Sequence, residues 1–251
     1  AMLCAFLAGC LTGLVTGFFH TQCGIPAILS GILTQLGLWS VNLATMGMKA
    51  NTALNVNNYK LLVSLRYLQE VNKGTRPFYN HPIFVVGVVT VLVIAVLYWF
   101  FGTERGASIR ATGANEHMAR AQGINTNVNK VLGLALSNGL VAFAGALLCQ
   151  YQSYAEINMG RGAIVIGLAA VIIGEVIFGK IFRNFALKLT AAVIGAIIYY
   201  IVMNFVLRMG LSTDDLKLLT ALVVAVFLTI PYWKGKYFTK TSVKKGEKNH
   251  A

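Results

Sequence analysis

Few side chains in this sequence can do chemistry, and their spacing suits hydrogen bonding better than catalysis. The four histidines, His20, His81, His117 and His250, stand far apart. None lies at metal-ligand spacing beside Cys4, Cys10, Cys23 or Cys149, and no CxxC occurs. This argues against a metal centre or a disulfide framework. The cysteines read as buried small hydrophobes instead. HExxH, GxSxG and the P-loop are all missing, so the P-loop route to ATP hydrolysis is closed to this chain itself. What remains are polar groups within apolar stretches: Gln35, Asn42, Ser137, Asn138, Asn204 and the carboxylate of Glu175. Such groups can glue helices together. They can also let a crossing solute exchange water for protein hydrogen bonds. On that reading Gln35, Asn42 and Asn138 are candidates to line a pathway. Glu175 is a functional suspect, because a carboxylate inside a membrane usually is. It can equally reach water or pair with Lys180 or Arg183.

The composition says what surrounds these groups. Of 251 residues, 57% are hydrophobic and 12% charged, with a mean hydropathy of +0.68. Soluble domains carry about 25% charged residues. This chain has half that, so its solvent is mostly lipid. The net charge of +13 does not indicate nucleic acid. The basic residues fall in loops and in the tail, where they orient a membrane protein. The fold class expected is all-α: a polytopic integral membrane helical bundle of about seven spans or half-spans.

Ala1 to Met48 contains no Asp, Glu, Lys or Arg. Its length exceeds one span of about 20 residues. His20–Thr21–Gln22 and Pro26 divide it into Ala1–Phe19 and Ile25–Met48, the second carrying enough polar residues to be a broken or re-entrant helix. Residues 49–81 form a polar loop. Within it, Leu61, Leu62, Leu65 and Leu68 share one face over Tyr59–Gln69, which suits a helix lying on the membrane surface. Further spans are expected at Pro82–Phe101, Val131–Ala155, Gly162–Gly179, Lys188–Leu207 and Leu216–Trp233. The transmembrane domain thus occupies 1–233, followed by a basic tail at 234–251 that is expected to be disordered. The tail is a candidate to bind anionic membrane lipid. The initial Ala in place of Met suggests a missing N-terminal stretch.

Placing the tail in the cytoplasm puts thirteen of the Lys and Arg residues inside and eight outside. The positive-inside rule favours that arrangement. The 102–130 loop is then cytoplasmic, the 49–81 loop is external, and Tyr151, Gln152 and Tyr154 end a span outside. Those residues suit an aromatic belt, or a surface that meets a binding protein. Gly9, Gly13 and Gly17 recur every fourth residue in the first span. This small-xxx-small face allows close helix packing, within the chain or between subunits.

GANEHMARAQGI, Gly113 to Ile124, is a polar island between greasy segments. Gly113 permits a turn. Asn115 is a good N-cap, Glu116 suits the first turn, and Gly123 is well placed as the stop. A helix of two turns is marginal alone in water. It must pack on something, either its own bundle or a partner protein.

The stretch "RATGANEHMARAQGIN", Arg110 to Asn125, resembles the cytoplasmic coupling-helix motif of ABC importer permeases of the branched-chain amino-acid and ribose type. Val131–Gly179 and Gly13–Gly47 are similar as well, and the likeness extends from about Ala5 to Trp233. The group paired with tryptophan- or tyrosine-type binding lipoproteins looks nearest. The resemblance implies a bacterial inner-membrane permease subunit that is not an enzyme and needs no cofactor. It implies three partners: an ATP-binding cassette subunit, an extracytoplasmic substrate-binding (lipo)protein, and a second permease copy. It assigns docking to Gly113, Asn115, Ala119, Arg120, Ala121, Gly123 and Ile124, and it implies alternating access with an amino acid or similar small solute as cargo. Members of the family carry further N-terminal spans. Two rivals stand beside this reading. A self-sufficient secondary transporter or channel would want intramembrane charges for ion coupling, and only Glu175 qualifies. An integral-membrane enzyme would want a clustered set of acids, bases or metal ligands.

Overall fold

The computed structural model describes residues 1–54, 61–64, 81–160, 163–179 and 184–208, together with Ala221, Ala225 and Thr229. Two compact units divide at Gly160 and Arg161. The first contains α1 (Met2–Thr21), α2 (Ala27–Thr45), α3 (Pro82–Gly102), α4 (Glu104–Ala114), α5 (Glu116–Ala121) and α6 (Thr126–Gln152). It also holds a two-stranded antiparallel ribbon of β1 (Asn51–Ala53) and β2 (Tyr154–Glu156). The second contains α7 (Ala163–Phe178) and α8 (Phe185–Arg208). This is a polytopic helical membrane protein. Helices α1, α2, α3 and α6, and residues 185–205 of α8, are long and apolar enough to cross a bilayer. The 16 residues of α7 rise only about 24 Å, short of a hydrocarbon core of about 30 Å.

The seam between α1 and α6 holds the first unit together. Its cause is the glycine spacing, because every fourth residue returns to one helix face. A Cβ added at Gly9 would lie 2.5 Å from the Asn138 carbonyl oxygen, and one at Gly13 would lie 2.5 Å from the Ala135 Cα. At Gly17 the Val131 Cα would be 3.0 Å away. The pairings run antiparallel, and α6 answers with its own Gly139 against Cys10 and Phe6. Lipid removes the hydrophobic drive between helices, so close van der Waals contact must hold the pair. On the side of α1 marked by Thr16, the Thr16 and Thr34 hydroxyls share a hydrogen bond of 3.0 Å with α2. The α1–α2 turn is closed by His20, whose Nδ1 lies 2.8 Å from the Ile25 carbonyl oxygen.

The second unit repeats the device. A Cβ on Gly174 would run into Ala191, and one on Gly195 would run into Ala170 and Gly174. Around this crossing Ala169, Ile173, Tyr199 and Met203 form a buried cluster.

Several expectations need correction. The α2 helix is unbroken from Ala27 to Thr45, because its polar residues point sideways and none interrupts the backbone ladder. α6 starts at Thr126, five residues earlier than hydropathy suggests, because Asn125 caps it by accepting from the Val128 N–H at 3.2 Å. Cys4 and Cys23 are exposed rather than buried. The surface helix expected over Tyr59–Gln69 does not run through 61–64. There the chain bends, buries Val63 and Ser64, and is tied to α6 by the Leu62 N–H donating to Gln150 Oε1 at 3.0 Å. The remainder of that stretch, the Leu216–Trp233 span apart from three positions, and the tail lie outside the described residues.

The ends of the spans in the first unit sort into two sides. Pairing of Asn51 with Glu156 puts the exits of α2 and α6 together. The α1–α2 turn and α4–α5 lie at the opposite ends of those helices. Tyr98 and Trp99, both exposed, sit at the α3 exit next to α4, where an aromatic belt belongs.

Candidate functional site

The polar island is built from two helices, and the first begins where α3 stops. Thr103 caps α4, accepting from the Gly106 N–H at 3.3 Å, with Glu104 in the first turn. Gly106 fits because any Cβ would strike the Phe100 carbonyl oxygen. α4 ends at Asn115, whose extended backbone (φ −155°, ψ 107°) makes the corner into α5. The Asn115 side chain then caps α5, accepting from the Met118 N–H at 3.0 Å. At the far end Gly123 takes φ +79°, a left-handed conformation that favours glycine. Its N–H donates to the Arg120 carbonyl and the Ile124 N–H donates to the Ala119 carbonyl. This is a Schellman stop. Six residues cannot hold a helix by propensity. Caps at both ends, together with the contacts below, supply what length does not.

Two polar clusters fasten the pair to the start of α6. Glu116 Oε1 accepts from Lys130 Nζ at 2.7 Å and from Arg120 Nη2 at 2.9 Å, while Arg120 also donates to Thr126 Oγ1 at 3.1 Å. Asn129 is buried and donates through Nδ2 to Ser108 Oγ at 2.6 Å and to Thr112 Oγ1 at 2.9 Å. Ala119 turns inward and is 2% exposed. His117, Met118 and Ala121 turn outward, at spacings of three and four residues that put them on one face.

The Lys130 hydrogen bond holds the Glu116 carboxyl below its ordinary value. Partial desolvation opposes the shift, and the charges of Lys130 and Arg120 with the Thr126 hydroxyl support it. A depressed carboxyl contributes its stabilisation above the ordinary glutamate range and loses it as pH falls through the depressed value. A fluorophore on Gln122→Cys, with the native cysteines replaced, should therefore keep constant anisotropy from neutral pH down to that range and become mobile below it. Glu116→Gln should leave the probe mobile at every pH. A wild-type profile that stays flat into strong acid would remove Glu116 as the anchor.

The residues singled out in the sequence separate into roles. Asn115 and Gly123 are the caps of α5. Gly113 does not make a turn, since it lies in the last turn of α4 with open space around its Cα. The turn falls two residues later because Asn115 can cap in both directions. Ala119 is buried against its own chain. Arg120 and Ala121 are exposed, and Ile124 is half-buried. Gln35 and Asn42 are exposed on α2, whereas Asn138 is half-buried on α6, where the backbone passes Gly9. Among the described residues no hydrogen bond joins these three. Sequence reasoning puts His117 in a polar collar with Arg120 and Gln122, but it missed α4, Met118 as an outward group, and the Asn129 cluster. Thr103–Glu104 carries the same cap-then-acid signature as Asn115–Glu116 and would have revealed α4.

The first unit thus carries a short, doubly capped helix fixed at one end of its membrane-length helices. The chain belongs to the family described as "Branched-chain amino acid transport system / permease component", which matches residues 1–230. It is therefore a multi-pass membrane permease. It is 37% identical over 229 residues to the tyrosine transport system permease protein of Clostridioides difficile, covering 91% of this chain and 71% of that protein. It is 30% identical over 231 residues to an uncharacterized protein of Rickettsia prowazekii, covering 91% of this chain and 78% of that one. The ribose import permease protein RbsC of Escherichia coli is 25% identical over 231 residues, covering 92% and 68%. No solved structure matches.

Proposed function

We propose that this chain is the membrane subunit of a bacterial ATP-driven importer for a small polar solute, an amino acid in the first instance. The observation that carries the reading is α5: capped at both ends, fastened to α6, and turning His117, Met118 and Ala121 outward. A helix held this rigidly passes a push to the spans behind it. A separate ATPase subunit would grip that face, and closure of two such subunits on ATP would drive alternating access. A second permease copy completes the pair, and an extracytoplasmic binding protein delivers the solute. The names of the tyrosine and ribose relatives support import, and the tyrosine relative favours an amino acid. No catalytic role is assigned to the chain itself.

The test is co-purification from native membranes in mild detergent, with mass spectrometry of the recovered proteins. A stoichiometric P-loop ATPase is expected. Recovery of the chain alone across several detergents would favour a self-sufficient transporter instead. Orientation has its own test. In cells lacking the native cysteines, Thr52→Cys in β1 should react with an impermeant maleimide from outside. Gln122→Cys after α5 should react only once the membrane is opened. The reverse pattern would invert the topology and move the ATPase face to the wrong side.

A further inference from the structure

We infer that Asn129 is a positioning residue of transport: it pins α4 to α6, so that a displacement of α5 travels along α6 to the β1–β2 ribbon at its other end. The inference rests on the importer reading above and adds the route and the residue that carries it. Asn129 is 4% exposed and lies in the first turn of α6. Its side-chain nitrogen has two hydrogens, and both are spent on α4, one on Ser108 Oγ at 2.6 Å and one on Thr112 Oγ1 at 2.9 Å. Those hydroxyls stand one turn apart, on one face of α4. Thr112 donates its own hydrogen to the Ser108 carbonyl oxygen at 2.9 Å, which leaves its lone pairs for the amide. Two bonds from one short side chain fix both the distance and the rotation of α4 against α6. Sliding one helix past the other would strand a buried donor, which is costly.

The Glu116 cluster does a different job. The Arg120 side chain is 62% exposed, and the long Arg120 and Lys130 chains can follow the carboxylate through small movements. An exposed ion pair also holds weakly. Such a contact sets the orientation of α5 but passes on little displacement of backbone. The stiff path runs through Asn115, the single residue between α4 and α5, and then through α4 to Asn129. From there α6 continues without a break to Gln152. Asn129 and Gln150 are about 32 Å apart along its axis. The seam of Gly9, Gly13 and Gly17 sets α1 directly against the α6 backbone, so α6 cannot tilt alone. At the far end Gln150 Oε1 accepts from the Leu62 N–H, the Ser153 carbonyl accepts from the Leu54 N–H at 2.9 Å, and β2 pairs with β1. Whatever moves the start of α6 therefore moves the ribbon. By the reciprocity of coupled sites, a ligand that moves the ribbon also alters what binds α5.

The experiment uses the full chain with its co-purified ATPase in lipid nanodiscs. The native cysteines are replaced, and an environment-sensitive fluorophore sits on Thr52→Cys in β1. The probe added is the ATP analogue AMP-PNP with magnesium. In this background the analogue should shift the emission. Asn129→Leu should lose the shift while the ATPase stays bound, since the outward face of α5 is untouched. Leucine keeps the branching of asparagine and suits a helix better. The freed Ser108 and Thr112 hydroxyls can bond carbonyls of their own helix, so α4 keeps no stranded group. Ser108→Ala combined with Thr112→Val cuts the same link from the α4 side and should lose the shift too. That pair decides the matter if Asn129→Leu fails to assemble. Thr34→Val is the control, because it removes another inter-helix hydrogen bond of the same unit, the one to Thr16, which lies off the route. Its shift should survive. A full shift in Asn129→Leu would overturn the pin. An equal loss in Thr34→Val would make the effect a general loosening. No shift in the parent background would mean that the motion does not reach the ribbon. Loss of the ATPase from Asn129→Leu alone would make Asn129 a support for docking rather than for transmission. In all four cases the parent still carries its ATPase. Absence of the ATPase from the parent complex would instead remove the importer reading, and this inference with it.

Discussion

Gly13→Leu separates α1 from α6 and leaves a protein that does not survive extraction from the membrane. The expectation comes from where the new atoms would go. The first of them, Cβ, would sit 2.5 Å from both the Ala135 Cα and the Leu134 carbonyl oxygen. These are backbone atoms of a helix, so they cannot rotate aside as a side chain would. The helices must move apart, and Gly9 and Gly17 lose their contacts together with Gly13. Overpacking usually costs about 1–3 kcal/mol, and a seam that opens along its length falls at the upper end or beyond. Helix propensity works the other way, since leucine favours a helix over glycine by about 1 kcal/mol. The sign therefore separates the two explanations. Gly37→Leu on α2, where no atom lies within 4 Å of an added Cβ, gains the propensity and meets no clash. Size-exclusion profiles and protease half-lives in detergent should show aggregation for Gly13→Leu and a normal peak for Gly37→Leu. A monodisperse, protease-resistant Gly13→Leu protein would mean that this seam does not form.

The seam also shows what could be read from sequence and what could not. Gly9, Gly13 and Gly17 announce a packing face by their spacing, but spacing does not name the partner. That α6 answers, through Ala135, Gly139 and Ala142, emerges only once the chain is folded. The spans were legible because lipid imposes one rule along about 20 residues. Their ends were less so: Thr126 and Asn125 are polar, so hydropathy starts α6 late, while the cap starts it early. The α7–α8 crossing passed unnoticed because Ala170, Gly174, Ala191 and Gly195 hide in a uniformly apolar background. β1 and β2 are three residues each and are held by pairing across about a hundred positions of chain, which no local pattern records. At the site the caps were legible, since Asn115 and Gly123 act on their nearest neighbours. Burial of Ala119 was not, because which side of a six-residue helix faces inward is decided by α6 and by the Asn129 and Glu116 clusters.

That last point makes two alanines on one short helix behave differently. Ala121→Glu should abolish ATPase association while the bundle stays folded. Ala121 is exposed at the end of α5, so the glutamate reaches water in the isolated chain. In the proposed complex the same position is covered, and a carboxylate buried without a partner costs about 3 kcal/mol. At 1.4 kcal/mol per tenfold, that is a loss of about 100-fold in affinity. One competing effect needs removing. An acid at a helix C-terminus opposes the dipole by about 0.3–1 kcal/mol and could loosen α5 itself. Ala121→Lys suits the dipole and still buries a charge, so it should also lose the ATPase. Ala119→Glu is the opposite case. It forces a carboxylate into a position 2% exposed, so it should damage the α5–α6 packing and lower protein recovery before any partner is considered. Co-purification of the P-loop ATPase, alongside the detergent profile of each variant, reads both effects. Loss of the ATPase with a normal profile, for both charges at Ala121, places the docking face on the outward side of α5. Full recovery of the ATPase with either charge would move that face elsewhere and reduce α5 to a brace for the start of α6.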